Sequence, residues 1–111
     1  MTQEQKDILL KDLCARLPYG VILNCCEIVS EPLTLISYKG LVNNDYDIDE
    51  VKPYLFPLSS MTEEQKEDMI KSSCGIGSDK NVFDWYNKNH FDYRGLIPMG
   101  LAIDATGLNI Y

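Results

Sequence analysis

The amino-acid sequence predicts a single α+β domain spanning residues 1–111. Three observations support this fold class: leucines at helical spacing before residue 18, two β-rich runs between residues 20 and 38, and two helix-like segments after residue 61. The predicted order is an N-terminal helix, a small antiparallel sheet of two or three strands, two helices and a short apolar C-terminal segment. A chain of this length buries roughly two-thirds of its unfolded surface, which is enough for one core.

The first helix is predicted from Thr2 to Arg16. Thr2 and Gln5 have the spacing of a capping box, in which the threonine accepts from an amide of the first turn and the glutamine reaches back to the cap. Pro18 ends the helix because proline disfavours helical geometry in the residue before it. Apolar residues recur at intervals of three and four and predict the buried face: Leu9, Leu10, Leu13, Cys14 and Leu17.

Two β-rich runs follow the first helix. Residues 20–29 read GVILNCCEIV and residues 33–38 read LTLISY, with a Glu-Pro turn signal between them. Such runs are typical of strands, so we predict that the two pair as a hairpin. Residues 41–42 and 46–51 are interpreted as a third strand or as the remnant of one, and Tyr46–Val51 is the longer part of it.

Residues 52–60 contain two prolines, which lack a backbone N–H for a sheet ladder. We therefore expect an extended connection over the core rather than a central strand. Thr62 repeats the helix-start signal of Thr2, so a second helix is predicted from Thr62 to about Ser73, with a narrow apolar stripe typical of a peripheral position. The remaining predicted elements are a loop at 74–79 and a third helix at 81–89.

The charge balance restricts the classes of partner. Seventeen acidic and ten basic residues give a net charge of −7. Direct nucleic-acid binding depends on clustered Lys and Arg, and anionic membrane surfaces attract the same residues, so both are disfavoured. The first residues lack the basic and apolar pattern of a signal peptide, and no apolar run reaches the roughly 18 residues of a membrane span. We expect a cytoplasmic protein with reduced cysteines.

No cofactor or metal site is predicted. Asp45, Asp47 and Asp49 alternate like the first half of a calcium loop, but Glu50 and Phe56 stand where that loop needs glycine and a bidentate glutamate. The adjacent cysteines at 25 and 26 lack the spacing of redox or zinc motifs. The glycines at 75 and 77 are too few for a phosphate-binding loop. A solvated acidic turn is the simpler interpretation of the aspartates.

His90, Asp92 and Arg94 are the candidate catalytic residues, since they could act as base, orienting group and anion clamp. Their spacing gives no sign that the side chains converge. A histidine at a helix C-terminus is also explained by capping and by the helix dipole. We therefore interpret residues 89–104, with two glycines, a proline and an apolar series, as the segment that closes the fold.

A partner-binding surface is predicted around the acidic turn. Tyr46 lies between Asp45 and Asp47, and Asp49 and Tyr54 follow within one short stretch. Tyrosines are common at interfaces because they bury a large area while keeping a polar tip. Aromatic side chains flanked by carboxylates are suited to a cationic protein. These five residues form the predicted contact surface.

Three segments also resemble a known family. They read KDLCARLPYG at Lys11–Gly20, EVKPYLFPLSSMTEEQ at Glu50–Gln65, and NHFDYRGLIPMGLAIDA at Asn89–Ala105. They are similar to a family of short uncharacterised proteins from gut anaerobic bacteria and their phages. The resemblance brings no catalytic residues with it. It implies a small intracellular accessory protein of the kind that mobile elements carry.

The leading functional hypothesis is a non-enzymatic intracellular protein that binds another, unidentified protein. An alternative is an acidic protein that imitates nucleic acid and blocks a DNA- or RNA-binding protein. A third alternative is a small enzyme that uses His90, Asp92 and Arg94. The sequence leaves the oligomeric state open, and it leaves open whether the apolar tail at Leu108, Ile110 and Tyr111 packs on its own core.

Overall fold

The computed structural model describes residues 2–25, 29–43, 45, 47–72 and 78–111. Within these residues it contains four α-helices and five β-strands, which confirms the α+β class. The elements in chain order are α1 (Gln3–Arg16), β1 (Ile22–Cys25), β2 (Val29–Pro32), α2 (Leu35–Val42), β3 (Val51–Pro57), α3 (Glu63–Ser72), α4 (Ser78–Lys88), β4 (Phe91–Asp92) and β5 (Ile103–Asp104). Single 3-10 turns occur at Leu17–Tyr19, Ile48–Glu50 and Leu58–Ser60.

Two helix starts confirm the sequence prediction in atomic detail. The Gln5 N–H donates to the Thr2 hydroxyl at 3.1 Å, and the Thr2 N–H donates to the Gln5 side chain at 3.0 Å. Thr62 and Gln65 form the same reciprocal pair at 3.1 and 2.8 Å before α3. Both boxes satisfy amides that have no partner inside the helix. The described residues of α3 include none that is buried, so this helix is peripheral, as predicted.

The hairpin exists, but its second strand was placed wrongly by the sequence analysis. β1 pairs antiparallel with β2, from Ile22 opposite Pro32 to Cys25 opposite Val29. Most of the run at 33–38, predicted as the second strand, belongs to α2. The cause is a further capping box: the Thr34 hydroxyl accepts from the Ser37 N–H at 3.2 Å, and the Ser37 hydroxyl accepts from the Thr34 N–H at 2.9 Å.

The predicted third strand is also displaced. Residues 41–42 complete α2, residues 48–50 form a 3-10 turn, and the strand begins only at Val51. Tyr46 lies outside the described residues. The predicted loop at 74–79 lies mostly outside them as well, and residues 78 and 79 already belong to α4.

The central strand is β3, which the sequence analysis interpreted as a connection. The sheet order is β2-β1-β3-β4, and β5 also pairs with β3. β1 runs antiparallel to β3, with Leu23 opposite Pro53, whereas β4 and β5 run parallel to it. The sheet is therefore mixed rather than antiparallel, which corrects the prediction.

The register explains how β3 tolerates its prolines. On one edge, the Tyr54 carbonyl accepts from the Tyr111 hydroxyl at 2.8 Å, and the Phe56 N–H donates to the His90 carbonyl at 2.8 Å. Backbone groups alternate between the two edges of a strand, so residues 53 and 57 face the other edge. On that edge β5 pairs with Tyr54 and Leu55, which lie between the two prolines. The prolines, which lack an N–H group, therefore stand on either side of a two-residue pairing and do not interrupt a long ladder of hydrogen bonds.

The core lies between α1 and the sheet and is completed by the chain after β4. Gly95 and Gly100, with φ of 77° and 75°, allow that chain to turn twice and return Leu96 and Leu101 to the core. This confirms that residues 89–104 close the fold. Buried members of the core cluster are Leu9, Leu13, Val21, Leu23, Leu33, Leu41, Ile48, Val51, Leu55, Leu96, Leu101 and Ala102.

Candidate functional site

The acidic turn predicted as a contact surface follows α2. The Asp45 N–H donates to the Gly40 carbonyl at 2.8 Å, which folds the chain back over the last turn of the helix. The Asp47 carboxylate then accepts from the Asp49 N–H at 2.9 Å and begins the 3-10 turn, where Ile48 is buried. Asp45, Asp47 and Asp49 are exposed. We call these three residues the acidic turn.

Tyr54 does not belong to this surface, which corrects the prediction. It is buried in the central strand with 7% of its surface exposed. Its hydroxyl accepts from the Asn24 side chain at 2.9 Å. The error follows from the interpretation of residues 52–60 as a connection, since a central strand buries side chains that a surface connection leaves exposed. Tyr46, the other aromatic residue of the predicted surface, lies outside the described residues.

Helix α2 supplies apolar side chains beside the acidic turn that the sequence analysis missed. Leu35, Ile36 and Val42 are 55%, 78% and 48% exposed. The opposite side of the helix is anchored by Leu41, which is 3% exposed. We call Leu35, Ile36 and Val42 the α2 face. The T-x-x-S capping signal at Thr34 was the local sequence feature that could have identified this helix.

The exposure of the α2 face is unusual, because isoleucine is among the residue types that are most often buried. Single exposed apolar residues are common and need no explanation, whereas several on one short element are typical of a contact surface. Ile36 is the most exposed large apolar residue among those that the structure describes. Lys39, also on α2, is exposed as well.

His90, Asp92 and Arg94 do not converge on one point. The Asp92 carboxylate accepts from the Leu96 and Ile97 N–H groups, both at 2.9 Å, and so holds the turn after β4. The Arg94 Nε donates to Asp12 at 3.1 Å. His90 lies against the ring of Tyr111, with centroids 3.7 Å apart. The contacts of all three residues are therefore explained by the architecture of the chain.

A buried charged cluster lies beneath these residues. Asp12 and Arg16, one turn apart on α1, are both completely buried, with Arg16 Nε 2.7 Å from the Asp12 carboxylate. Arg16 also donates to the Phe91 carbonyl at 2.6 Å. The second oxygen of Asp12 accepts from Arg94, and Tyr93 packs against both guanidinium groups. One carboxylate thus binds two arginines from opposite ends of the chain.

Burial shifts the pKa values of two residues near Arg16, His90 and Tyr111, toward their neutral forms. Burial, with a smaller contribution from the Arg16 charge, lowers the pKa of His90 to about 4. Burial raises the pKa of Tyr111 to about 12, although its hydrogen bond with Ile22 and the Arg16 charge both act in the opposite direction. The Nη1 atom of Arg16 and the Nδ1 atom of His90 are buried without a hydrogen-bond partner in the protein. The sequence analysis missed Asp12 and Arg16, although their i,i+4 spacing is typical of a helical ion pair.

A shallow cleft of about 210 Å³ lies between α4 and the turn after α1. Its lining is Tyr19, Ser72, Asn81, Asp84, Trp85 and Lys88. The Nε1 of Trp85, one of the lining residues, donates to Asp68 at 2.8 Å. The polar residues of this lining are not recognisable as a set of acid, base and orienting group.

In the described part of the chain, His, Cys, Asp and Glu side chains form no group of three or more that could hold a metal ion. No helix in that part is long and apolar enough to cross a membrane. No protein-family model, no curated protein and no solved structure matches this chain. The family resemblance of the three segments therefore stays a prediction.

Proposed function

We propose that this protein is a non-enzymatic protein that binds another protein, and that the α2 face is the centre of the contact. The observation that supports the proposal is the exposure of Leu35, Ile36 and Val42 on one short helix. Covering apolar surface is the main favourable term in most protein association. A capped helix with a buried anchor at Leu41 presents that surface on a rigid support.

The fixed geometry of α2 also favours binding. Its N-terminus is held by the Thr34–Ser37 capping box and its C-terminus by the bond from Asp45 to the Gly40 carbonyl. A surface that is ordered before binding loses less conformational entropy when the partner arrives. Side chains with few rotamers, such as Ile36, keep that loss small.

The experiment is capture of partners from a nuclease-treated lysate of the source organism, using the tagged wild-type protein and two paired variants. The first variant carries Leu35→Ser and Ile36→Ser on the α2 face. The control carries Leu58→Ser and Leu108→Ser, which remove two similarly exposed leucines, at 42% and 49%, elsewhere on the chain. Thermal unfolding of each variant checks that the domain remains folded.

We expect the control to capture the same partner as the wild type and the α2 variant to lose it. With the partner purified, the affinity of the α2 variant should fall at least about tenfold, because truncating a central contact residue typically costs more than 1 kcal/mol. Equal capture by the α2 variant and the wild type would contradict the proposal. Capture that is lost at high salt and displaced by duplex DNA or RNA would instead favour imitation of nucleic acid.

A further inference from the structure

The acidic turn lies directly at the C-terminal end of the α2 face. Asp45 is three residues beyond Val42, and its N–H group bonds to the Gly40 carbonyl inside the helix. This bond holds the Asp45 backbone against the last helical turn. Asp47 follows in extended conformation and is exposed. An apolar surface and two exposed carboxylates therefore follow one another at the C-terminal end of α2.

Two sources of negative potential combine at this end of the helix. The last carbonyl groups of a helix carry a partial negative charge, which favours a cation nearby. The carboxylates of Asp45 and Asp47 add full charges to it, in a chain whose net charge is −7. Lys39, one turn earlier, is the basic residue of α2, so the potential is most negative beyond Val42.

We propose, building on the proposed function, that the partner of the α2 face is an amphipathic protein segment with Lys or Arg beside its apolar stripe. Its apolar side chains cover Leu35, Ile36 and Val42. Its basic side chains lie against Asp45 and Asp47. Apolar contact supplies the affinity of such a complex, and charge complementarity selects the partner and its orientation.

Two other occupants fit this surface less well. A second copy of the chain brings the same acidic turn and the same net charge of −7, so like charges oppose the contact. An anionic membrane surface attracts basic segments and repels an acidic one. A basic amphipathic segment of another protein, in contrast, interacts favourably with both the α2 face and the acidic turn.

The test uses three synthetic helical peptides that share one leucine stripe and differ at the flanking positions, which are Lys, Gln or Glu. Binding to the full-length protein is measured by fluorescence anisotropy at low and high salt. Two protein variants with equal changes in charge are compared: Asp45→Asn with Asp47→Asn, and Glu64→Gln with Glu67→Gln on α3. Asparagine at 47 keeps an oxygen that can accept from the Asp49 N–H, so the turn is retained.

We expect the Lys peptide to bind roughly three- to tenfold more tightly than the Gln peptide at low salt, as two exposed charge pairs allow. The Glu peptide should bind most weakly, and the preference should shrink at high salt. Asp45→Asn with Asp47→Asn should abolish the preference, whereas the α3 control should reduce it only slightly. Ile36→Ser should weaken binding of all three peptides.

The outcomes separate this inference from the proposed function. If the three peptides bind equally and Ile36→Ser weakens each of them, the α2 face binds protein but the basic class of partner is wrong. If none of them binds, the inference is also overturned, and the capture experiment with the Leu35 and Ile36 variant decides the proposed function independently. Concentration-dependent self-association that Ile36→Ser removes would overturn it in favour of a second copy.

Discussion

Asp12 and Arg16 form an ion pair at 2.7 Å in which both side chains are completely buried. The pair lies one helical turn apart on α1, and its second arginine, Arg94, comes from the segment that closes the fold. Arg16 reaches further and bonds to the Phe91 carbonyl in β4. The cluster therefore ties the first helix to the last part of the chain, and its expected contribution is to the specific closure of the fold.

Replacing one member of this pair should be strongly destabilising. Asp12→Asn leaves the Arg16 charge buried without its carboxylate, and breaking a buried pair in this way costs about 3–5 kcal/mol. Arg94→Met should cost less, because Arg94 is partly exposed and Asp12 keeps Arg16. Equilibrium unfolding in urea measures both changes. Glu63→Gln, which breaks the exposed pair with Lys66, is the control and should change stability by less than about 1 kcal/mol. Equal effects of Asp12→Asn and Glu63→Gln would show that the buried cluster is unimportant.

The Tyr111 hydroxyl should stabilise the junction of β1 and β3. It accepts from the Ile22 N–H and donates to the Tyr54 carbonyl, both at 2.8 Å. In the register of β1 with β3, Ile22 and Tyr54 would form the next pair after Leu23 and Pro53. The Tyr111 hydroxyl bridges the backbone groups of these two residues in place of a direct hydrogen bond between the strands. For Tyr111 the hydrogen bonds answer the open question about the tail, because the residue bonds to its own chain, although 42% of its surface is exposed; Leu108 is 49% exposed.

Tyr111→Phe removes only that oxygen and leaves two backbone groups without it. We expect a loss of about 1–3 kcal/mol in the free energy of unfolding, since each of the two hydrogen bonds contributes about 0.5–1.5 kcal/mol. Tyr19→Phe is the matched control, since it removes a hydroxyl from a tyrosine of similar exposure (36%, against 42% for Tyr111), and it should be nearly neutral. Urea unfolding of the two variants measures the difference. A neutral Tyr111→Phe would mean that solvent replaces the hydroxyl at both groups.

The success of the sequence analysis depended on the range of the interactions. The boxes at Thr2 and Thr62 were predicted because capping is decided within four residues. The role of β3 was missed because its tolerance of Pro53 and Pro57 depends on the register with β5, which is distant in sequence. The α2 face was missed for a different reason: residues 33–38 alternate like a strand, whereas Thr34 and Ser37 form a capping box that begins a helix.

The candidate site was predicted only in part. The exposure of the acidic turn follows from sequence because aspartate is rarely buried, and three aspartates stand at alternate positions there. Tyr54 was assigned to the surface because the burial of a tyrosine cannot be inferred without the strand that contains it. The Asp12–Arg16 pair had a local signal in its spacing, but its burial depends on Arg94 and Phe91 at the other end of the chain.

Protonation of His90 should make the protein less stable in acid. The pKa of His90 is about 4 in the folded protein, against an ordinary value of 6.5, because burial and the Arg16 charge disfavour the cation. Between these two values the unfolded chain binds a proton that the folded protein does not. The contribution of the neutral histidine to stability is therefore complete above about pH 6.5 and is lost as the pH falls toward 4.

His90→Asn tests this pH dependence. His90 has a φ of 63°, and asparagine accepts this left-handed conformation better than most residues. The variant loses the ring contact with Tyr111 and should be less stable at pH 7. Between pH 7 and pH 5 it should, however, lose less stability than the wild type, because it has no histidine at position 90 to protonate. The carboxylates titrate in both proteins and so contribute to both slopes. Thermal unfolding across this pH range measures the two slopes. Parallel slopes would contradict a lowered pKa of His90.

The acidic turn should be dispensable for folding and required for binding. Replacing Asp45, Asp47 and Asp49 by asparagine removes three exposed charges and keeps the side-chain oxygen at 47 that accepts from the Asp49 N–H. Exposed substitutions of this kind usually change stability by less than about 0.5 kcal/mol. Capture of the partner should weaken, most clearly at low salt, because the carboxylates attract its basic side chains. Urea unfolding and capture are measured on the same preparation, so that a loss of binding can be separated from a loss of structure. Unchanged capture by a folded variant would remove the acidic turn from the contact and leave the α2 face as the surface to examine.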